Sequence, residues 1–342
     1  MSTAGDASIS AAPAKKRLTT SAMIASIATE GQATRPAPFG HALVELAKRD
    51  ARIVGLTADL GKYTDLHIFA KAYPDRFYQM GMAEQLLMSS AAGLAREGFV
   101  PFATTYAVFA ARRAYDFIAM AIAEEKLPVK IVCALPGLTT GYGPSHQATD
   151  DIAIFRAMPD IAVIDPCDAL DIEQAVPAIV AHEGPVYMRL LRGQVPAVLG
   201  DYDYSFEFGK AKLISDGSDV LFISSGILTM RALEAAKALE NEGVKAAVLH
   251  SPTIKPLDVA SILAEVDRSD RLVIVAENHS RIGGLGEAVA MTLLANGRAP
   301  RFRHIALPDA FLDAGALPTL HDRYGISTDR IVVQTRNWLE ED

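Results

Sequence analysis

Met82-Ala-Glu-Gln85 begins a predicted helix, and the segments Tyr106-Ala-Val-Phe109 and Gly143-Pro-Ser-His-Gln147 follow it along the chain. The first segment comes after a predicted short strand and a glycine. The second joins a strand to a helix, and the third is a glycine-rich loop. Such junctions at the carboxyl edge of a parallel sheet are where α/β proteins bind ligands. A carboxylate, two aromatic rings and a histidine at these junctions predict part of a ligand site.

Outward from these segments, predicted helices alternate with apolar strands. Strands are predicted at residues 100–105, 129–135 and 186–190, and one long helix is predicted at residues 108–126. Apolar runs without polar alternation are typical of strands that are buried on both faces of a sheet. The predicted fold class is therefore α/β, with two consecutive domains of mostly parallel sheet.

Changes in composition divide the chain into four parts. A mobile tail rich in alanine, serine, threonine and proline is predicted over residues 1–35, with a short helix near residues 22–29. A first α/β domain follows over residues 36–195, a glycine- and aromatic-containing linker over 196–209, and a second α/β domain over 210–342. A chain of 342 residues is long enough for a core in each domain.

The composition argues against some classes of partner. A net charge of −8 disfavours nucleic acid, because binding to phosphates needs a basic surface. No apolar run reaches the roughly 18 residues of a membrane helix, and we expect a cytoplasmic protein. Cys133 and Cys167 lie in apolar runs, where buried and reduced thiols are expected.

Each candidate site residue also has a purely structural interpretation. Glu84 lies in a first helical turn, where the helix dipole favours a carboxylate. Tyr106 and Phe109 are three residues apart on one helix face, a spacing that is also common in cores. His146 is the stronger candidate, because its loop holds three glycines and a proline between residues 137 and 147. Arg192 follows a strand and would otherwise form a surface ion pair.

Two further acidic segments adjoin these candidates. Asp59 belongs to a polar loop after the first strand of the domain. Asp150 and Asp151 are expected to cap the helix that follows the histidine loop, because aspartate oxygens accept hydrogen bonds from a first helical turn.

Taken in order, these segments resemble the C-terminal half of transketolase. The turn at residues 82–85 matches the family's Ala-Glu-Gln helix start, and Tyr106 and Phe109 match its aromatic pair. The loop at residues 143–147 matches its histidine loop, and Arg192 matches its arginine after the next strand. The resemblance implies a pyrimidine-binding domain followed by a transketolase C-terminal domain.

The resemblance implies thiamine diphosphate as the cofactor. Glu84 would be catalytic, by hydrogen bonding the aminopyrimidine ring and so promoting loss of the thiazolium proton. Phe109 would stack on that ring, with Tyr106 beside it. Met82 and Asp59 are further residues expected to contact the cofactor.

The implied reaction is transfer of a two-carbon ketol unit between sugar phosphates. His146 would be catalytic and would bind substrate, together with Arg192, Arg112 and Tyr142. Tyr142 stands where family members commonly have an aspartate that binds a substrate hydroxyl, and Ala134 and Leu135 stand where many have a basic residue. These differences leave the identity of the donor and acceptor open.

The resemblance also implies a partner chain. The sequence lacks a Gly-Asp-Gly with a downstream asparagine, the pattern that holds the diphosphate through a metal ion. A diphosphate-binding transketolase subunit would hold Mg²⁺ and the diphosphate, and the pair would self-associate into a dimer of heterodimers.

Three alternatives accompany this interpretation. The beta subunit of a 2-oxo acid dehydrogenase and a deoxyxylulose phosphate synthase-like enzyme share the glutamate and the two-domain layout, but the Gly-Pro-Ser-His-Gln loop favours transketolase. A non-catalytic structural or regulatory subunit is a different class. The joint presence of Glu84, Phe109 and His146 argues against it.

Overall fold

The computed structural model describes residues 31–341, so the helix predicted near residues 22–29 lies outside the described residues. The strands are β1 (Thr34–Pro36), β2 (Ile53–Thr57), β3 (Phe77–Gln79), β4 (Val100–Tyr106), β5 (Lys130–Ala134), β6 (Ala162–Ile164), β7 (Val186–Leu190), β8 (Gln194–Pro196), β9 (Lys212–Ser215), β10 (Val220–Ser224), β11 (Ala246–His250), β12 (Thr253–Lys255), β13 (Leu272–Ser280) and β14 (Phe302–Leu307). The helices are α1 (Pro38–Ala47), α2 (His67–Ala72), α3 (Glu84–Arg96), α4 (Ala107–Arg113), α5 (Tyr115–Ile118), α6 (Asp151–Ala157), α7 (Ala169–Ala181), α8 (Ile227–Glu240), α9 (Val259–Asp267), α10 (Leu285–Ala295), α11 (Leu317–Arg323) and α12 (Thr328–Glu340).

Two mostly parallel sheets form the scaffold, as predicted. The first has the strand order β12-β6-β7-β5-β4-β2-β3, and the second has the order β14-β13-β10-β11-β9. Within the first sheet, β2, β4, β5 and β7 pair in parallel. Every residue of these strands is buried, which agrees with their largely apolar sequences.

The two halves of the chain meet in one sheet, and the two ends of the first domain form a separate two-stranded sheet. Strand β12, which belongs to the second half of the sequence, pairs antiparallel with β6 at the edge of the first sheet. Strand β1 pairs antiparallel with β8, so the start of the described chain is held against the segment that follows β7. The proposed linker therefore contains short ordered elements.

The prediction of a single long helix at residues 108–126 is wrong. The segment instead contains α4, a break at Ala114, the short α5, and a π-helical turn over Ala119–Ala123. A run rich in alanine is compatible with several helical windings, so the sequence pattern does not show where the winding changes.

Two further features of the fold are the state of the cysteine side chains and the lengths of the helices. Cys133 and Cys167 are buried free thiols, as predicted. Within residues 31–341, no helix is long and apolar enough to cross a membrane.

Candidate functional site

The candidate residues lie at the carboxyl edge of the first sheet. Tyr106 ends β4, and the loop that carries His146 runs from the end of β5 to α6. Arg192 follows the end of β7 by two residues. Because the strands that precede them are parallel neighbours, their carboxyl ends meet along one edge.

Glu84 is a buried carboxylate at the first position of α3. The residue is only 3% exposed, and its Oε1 accepts a hydrogen bond of 3.0 Å from the Arg113 guanidinium. The preceding residue, Ala83, offers no side-chain cap. A positively charged side chain and the first turn of a helix therefore both face this carboxylate.

Arg113 also covers an aromatic ring of the site. Its guanidinium carbon lies 3.9 Å from the centroid of the Phe109 ring, a close cation–π contact. Phe109 and Arg113 are four residues apart in α4 and so share a helix face. Sequence reasoning selected the neighbouring Arg112 and missed Arg113, although helical spacing from Phe109 could have identified it.

Three aromatic side chains surround His146. Its ring centroid lies 5.4 Å from that of Phe109, 6.0 Å from that of Tyr106 and 5.0 Å from that of Tyr142. The rings of Tyr106 and Phe109 are 5.6 Å apart, as expected for residues on one face. The structure thus brings the predicted aromatic pair, the loop histidine and Tyr142 into one cluster.

The electrostatic setting favours neutral forms of two side chains in this cluster. Burial, together with the nearby Arg113, lowers the pKa of His146. Its Nδ1 lies 2.9 Å from the Ser145 hydroxyl. Burial raises the pKa of Tyr106, although Arg192 opposes this shift. Neutral imidazole and phenol groups can exchange hydrogen bonds with hydroxyl and carbonyl groups of a ligand.

Arg192 is positioned by a buried carboxylate. Asp65 accepts a hydrogen bond of 2.9 Å from the Gly193 amide, and burial raises the pKa of Asp65. The Arg192 guanidinium carbon lies 5.6 Å from the Tyr63 ring centroid. Its Nε is buried without a hydrogen-bond partner and is therefore an unsatisfied donor.

Arg112 is bound to the histidine loop. It forms hydrogen bonds of 2.9 and 3.0 Å with the Asp150 carboxylate, and a bond of 3.3 Å with the Pro144 carbonyl. These hydrogen bonds hold the loop in place. A role for Arg112 in contacting substrate stays a prediction.

The predicted capping by Asp150 and Asp151 is wrong. Asp150 occupies the cap position but makes no side-chain cap, because its carboxylate pairs with Arg112. Asp151 points inward and pairs with the buried Arg189. Charge-assisted pairs with arginine are stronger than a hydrogen bond to a neutral amide.

Asp59 and Met82 lie at the margin of the site. Asp59 is exposed and exchanges hydrogen bonds with the Gln79 side chain. Met82 is 82% exposed. Among residues 31–341, no group of three or more His, Cys, Asp or Glu residues is arranged to hold a metal ion.

Two family descriptions match consecutive parts of the chain. Residues 30–197 match the transketolase pyrimidine binding domain. Residues 209–331 match the transketolase C-terminal domain.

Two relatives resemble the chain over most of both lengths. The uncharacterized transketolase family protein y4mN of Sinorhizobium fredii is 72% identical, over 96% of this chain and 95% of its own. The 6-deoxy-6-sulfo-D-fructose transketolase subunit SqwH of a Clostridium species is 37% identical, over 85% of this chain and 89% of its own.

One solved structure is similar throughout. It is described as a split gene transketolase in an inactive beta4 tetramer, and it aligns with a TM-score of 0.79 and 41% identity. The alignment covers 89% of this chain and 97% of that chain. The chain therefore belongs to the transketolase family and contains its pyrimidine-binding and C-terminal domains in consecutive order.

Proposed function

We propose that this chain is one subunit of a split, thiamine diphosphate-dependent transketolase that transfers a two-carbon ketol unit between sugar substrates. The observation that carries this proposal is the buried Glu84 carboxylate beside the ring cluster of Tyr106, Phe109 and His146. A carboxylate and flat apolar rings suit the hydrogen-bonding edge and the faces of an aminopyrimidine.

The described residues fit the pyrimidine part of the cofactor. Glu84 would hold a ring nitrogen, and Phe109 would lie against a ring face. When bound, thiamine diphosphate supplies a stabilised carbanion for ketol transfer. Arg113 donates a hydrogen bond to Glu84 and lies over the ring of Phe109. Because the pyrimidine would use the same groups, we expect the guanidinium to move when the pyrimidine binds.

Two findings support the need for a partner subunit that holds the diphosphate and Mg²⁺. The relatives described as a transketolase subunit and a split gene transketolase align with this chain over most of their own lengths. Large apolar side chains are also exposed on β3, the start of α3 and the α5 region, namely Tyr78, Met82, Leu86, Tyr115, Phe117 and Met120. An exposed apolar surface of this kind is typical of an interface.

Reconstitution tests the proposed function. The purified chain alone should bind thiamine diphosphate poorly and lack ketol transfer. Addition of the diphosphate-binding transketolase subunit of the same organism, with Mg²⁺, should restore both properties. Cofactor binding would be followed by calorimetry and ketol transfer by a donor and acceptor panel. Full activity of the rigorously purified single chain would contradict the division of labour between two subunits.

We also propose that His146 and Arg192 bind the sugar substrate. His146 would donate to the oxygens of the ketol donor, and the Arg192 guanidinium would hold an anionic group such as a phosphate or sulfonate. In the reconstituted complex, His146→Ala should lower kcat and Arg192→Ala should raise the substrate KM, each by about 10-fold. Cofactor affinity should stay within about 3-fold, because neither side chain is assigned to the cofactor.

The control for these variants is Arg336→Ala, which removes an exposed arginine of α12. The panel should include ketose phosphates and 6-deoxy-6-sulfo-D-fructose, and Tyr142→Asp should shift preference toward ordinary ketose phosphates. Loss of cofactor binding with unchanged substrate constants would move His146 and Arg192 to the cofactor pocket. Formation of 1-deoxy-D-xylulose 5-phosphate would instead indicate a deoxyxylulose phosphate synthase-like reaction.

A further inference from the structure

The loop that carries His146 is held by the second domain. Leu138, eight positions before His146, is fully buried, and its backbone amide and backbone carbonyl are each bound by a side chain from the other half of the chain. The Leu138 amide donates to Asn278 Oδ1 at 2.9 Å. The Leu138 carbonyl accepts from His321 Nε2 at 2.7 Å.

A third side chain determines which nitrogen of His321 carries the proton. The Arg231 guanidinium lies 2.7 Å from His321 Nδ1, and a guanidinium can only donate. Nδ1 must therefore accept, so that Nε2 bears the hydrogen directed at the Leu138 carbonyl. Burial, together with Arg231, lowers the pKa of His321 to about 3. The hydrogen bond therefore persists across the neutral range.

Two further bonds bracket the segment that contains Tyr142 and His146. The Gly315 amide donates to the Gly141 carbonyl at 3.0 Å. The Gln147 side-chain amide donates to the Asp313 carbonyl at 3.0 Å. The residues between Gly141 and Gln147 are thus anchored at both ends to the segment between β14 and α11.

The approach of the two domains is close at the base of the loop. Gly137 has φ +56°, and a Cβ at this position would lie 2.1 Å from the Asn278 carbonyl oxygen. A larger residue would therefore separate Asn278 from the loop. This close contact fixes the position of the base of the loop against the second domain.

We propose that Asn278 and His321 are positioning residues, which act through the Leu138 peptide to place His146 and Tyr142 in the substrate site. This inference rests on the proposed substrate role of His146. It assigns the second domain a part in organising the site, although Asn278 and His321 need not touch cofactor or substrate. Small displacements of a substrate-binding group lower turnover strongly, because reacting groups must be held within about 1 Å of their working positions.

The test uses the full chain reconstituted with the diphosphate-binding subunit. His321→Leu removes the donor to the Leu138 carbonyl, and Asn278→Ala removes the acceptor for the Leu138 amide. His321→Gln is the conservative variant, because the glutamine side chain keeps one donor and one acceptor at a similar separation. Thr335→Val is the matched control, because Thr335 is buried in α12 and donates to the Ile331 carbonyl, far along the chain from the loop. Hydrogen–deuterium exchange of peptides over residues 135–150 measures how well the loop is held in place. Steady-state kinetics measure the effect on the substrate site.

In His321→Leu and Asn278→Ala, exchange in the loop should rise about 10-fold and kcat should fall about 10-fold, while the cofactor dissociation constant stays within about 3-fold. His321→Gln and Thr335→Val should resemble the unmodified chain in both measurements. If His321→Leu does not fold, the Asn278→Ala and His321→Gln results still decide the question. Unchanged loop exchange, or faster exchange with unchanged kcat, would overturn the positioning role. An inactive unmodified complex would overturn the proposed function alone, since loop exchange can still be measured.

Discussion

Replacing Glu84 with glutamine is expected to slow loss of the thiazolium proton of bound thiamine diphosphate by about 10²-fold or more. A glutamine side chain has a similar shape but cannot take part in acid–base exchange. The direct measurement is hydrogen–deuterium exchange at that carbon in the reconstituted complex. This rate reports on the cofactor itself and does not depend on which sugar is the substrate.

The fold should tolerate this substitution. A carboxylate at a helix start contributes only about 0.3–1 kcal/mol through the helix dipole, and glutamine keeps an oxygen that can accept from Arg113. Glu97→Gln is the control, because Glu97 lies at the other end of α3 and is exposed. The control should leave both the exchange rate and the unfolding midpoint unchanged. An unchanged exchange rate in Glu84→Gln would remove Glu84 from the mechanism.

The sequence was sufficient to predict the local parts of this site. Glu84 begins a helix and His146 lies in a loop, as predicted, and the rings of Tyr106 and Phe109 are adjacent, although Tyr106 ends β4. Each of these features depends on residues close together in the chain. Glycine positions, helical spacing and apolar runs report such features well.

The contacts between distant segments could not be predicted in the same way. Asn278 and His321 bind Leu138 across separations of 140 and 183 residues. The edge strand β12 joins a sheet that is otherwise built from the first half of the chain. These contacts depend on how the two domains dock, and no periodicity in the sequence encodes that arrangement. The inward turn of Asp151 belongs to the same class, because its partner Arg189 lies 38 residues away.

Arg189 provides the prediction with the largest expected effect on stability. It is 1% exposed, and its guanidinium makes two hydrogen bonds with Asp151, at 2.8 and 2.9 Å, and one with Asp165, at 3.2 Å. It also donates to the Asn278 carbonyl at 3.0 Å, which connects it to the second domain. Burial raises the pKa of Asp151, but attraction to Arg189 outweighs this and the pKa is lowered. Burial raises the pKa of Asp165 even beside Arg189.

Arg189→Met should therefore lower the free energy of unfolding by about 3–5 kcal/mol, because it leaves two buried carboxyl groups without their counter-charge. Urea unfolding followed by circular dichroism measures the change. Arg298→Met is the control, since its pair with Asp267 is exposed and contributes little in water. Adding Asp151→Asn and Asp165→Asn to Arg189→Met should recover part of the loss, because neutral amides cost less to bury than unpaired carboxylates. An Arg189→Met chain as stable as the unmodified one would show that the buried ion pairs of Arg189 contribute little to the stability of the fold.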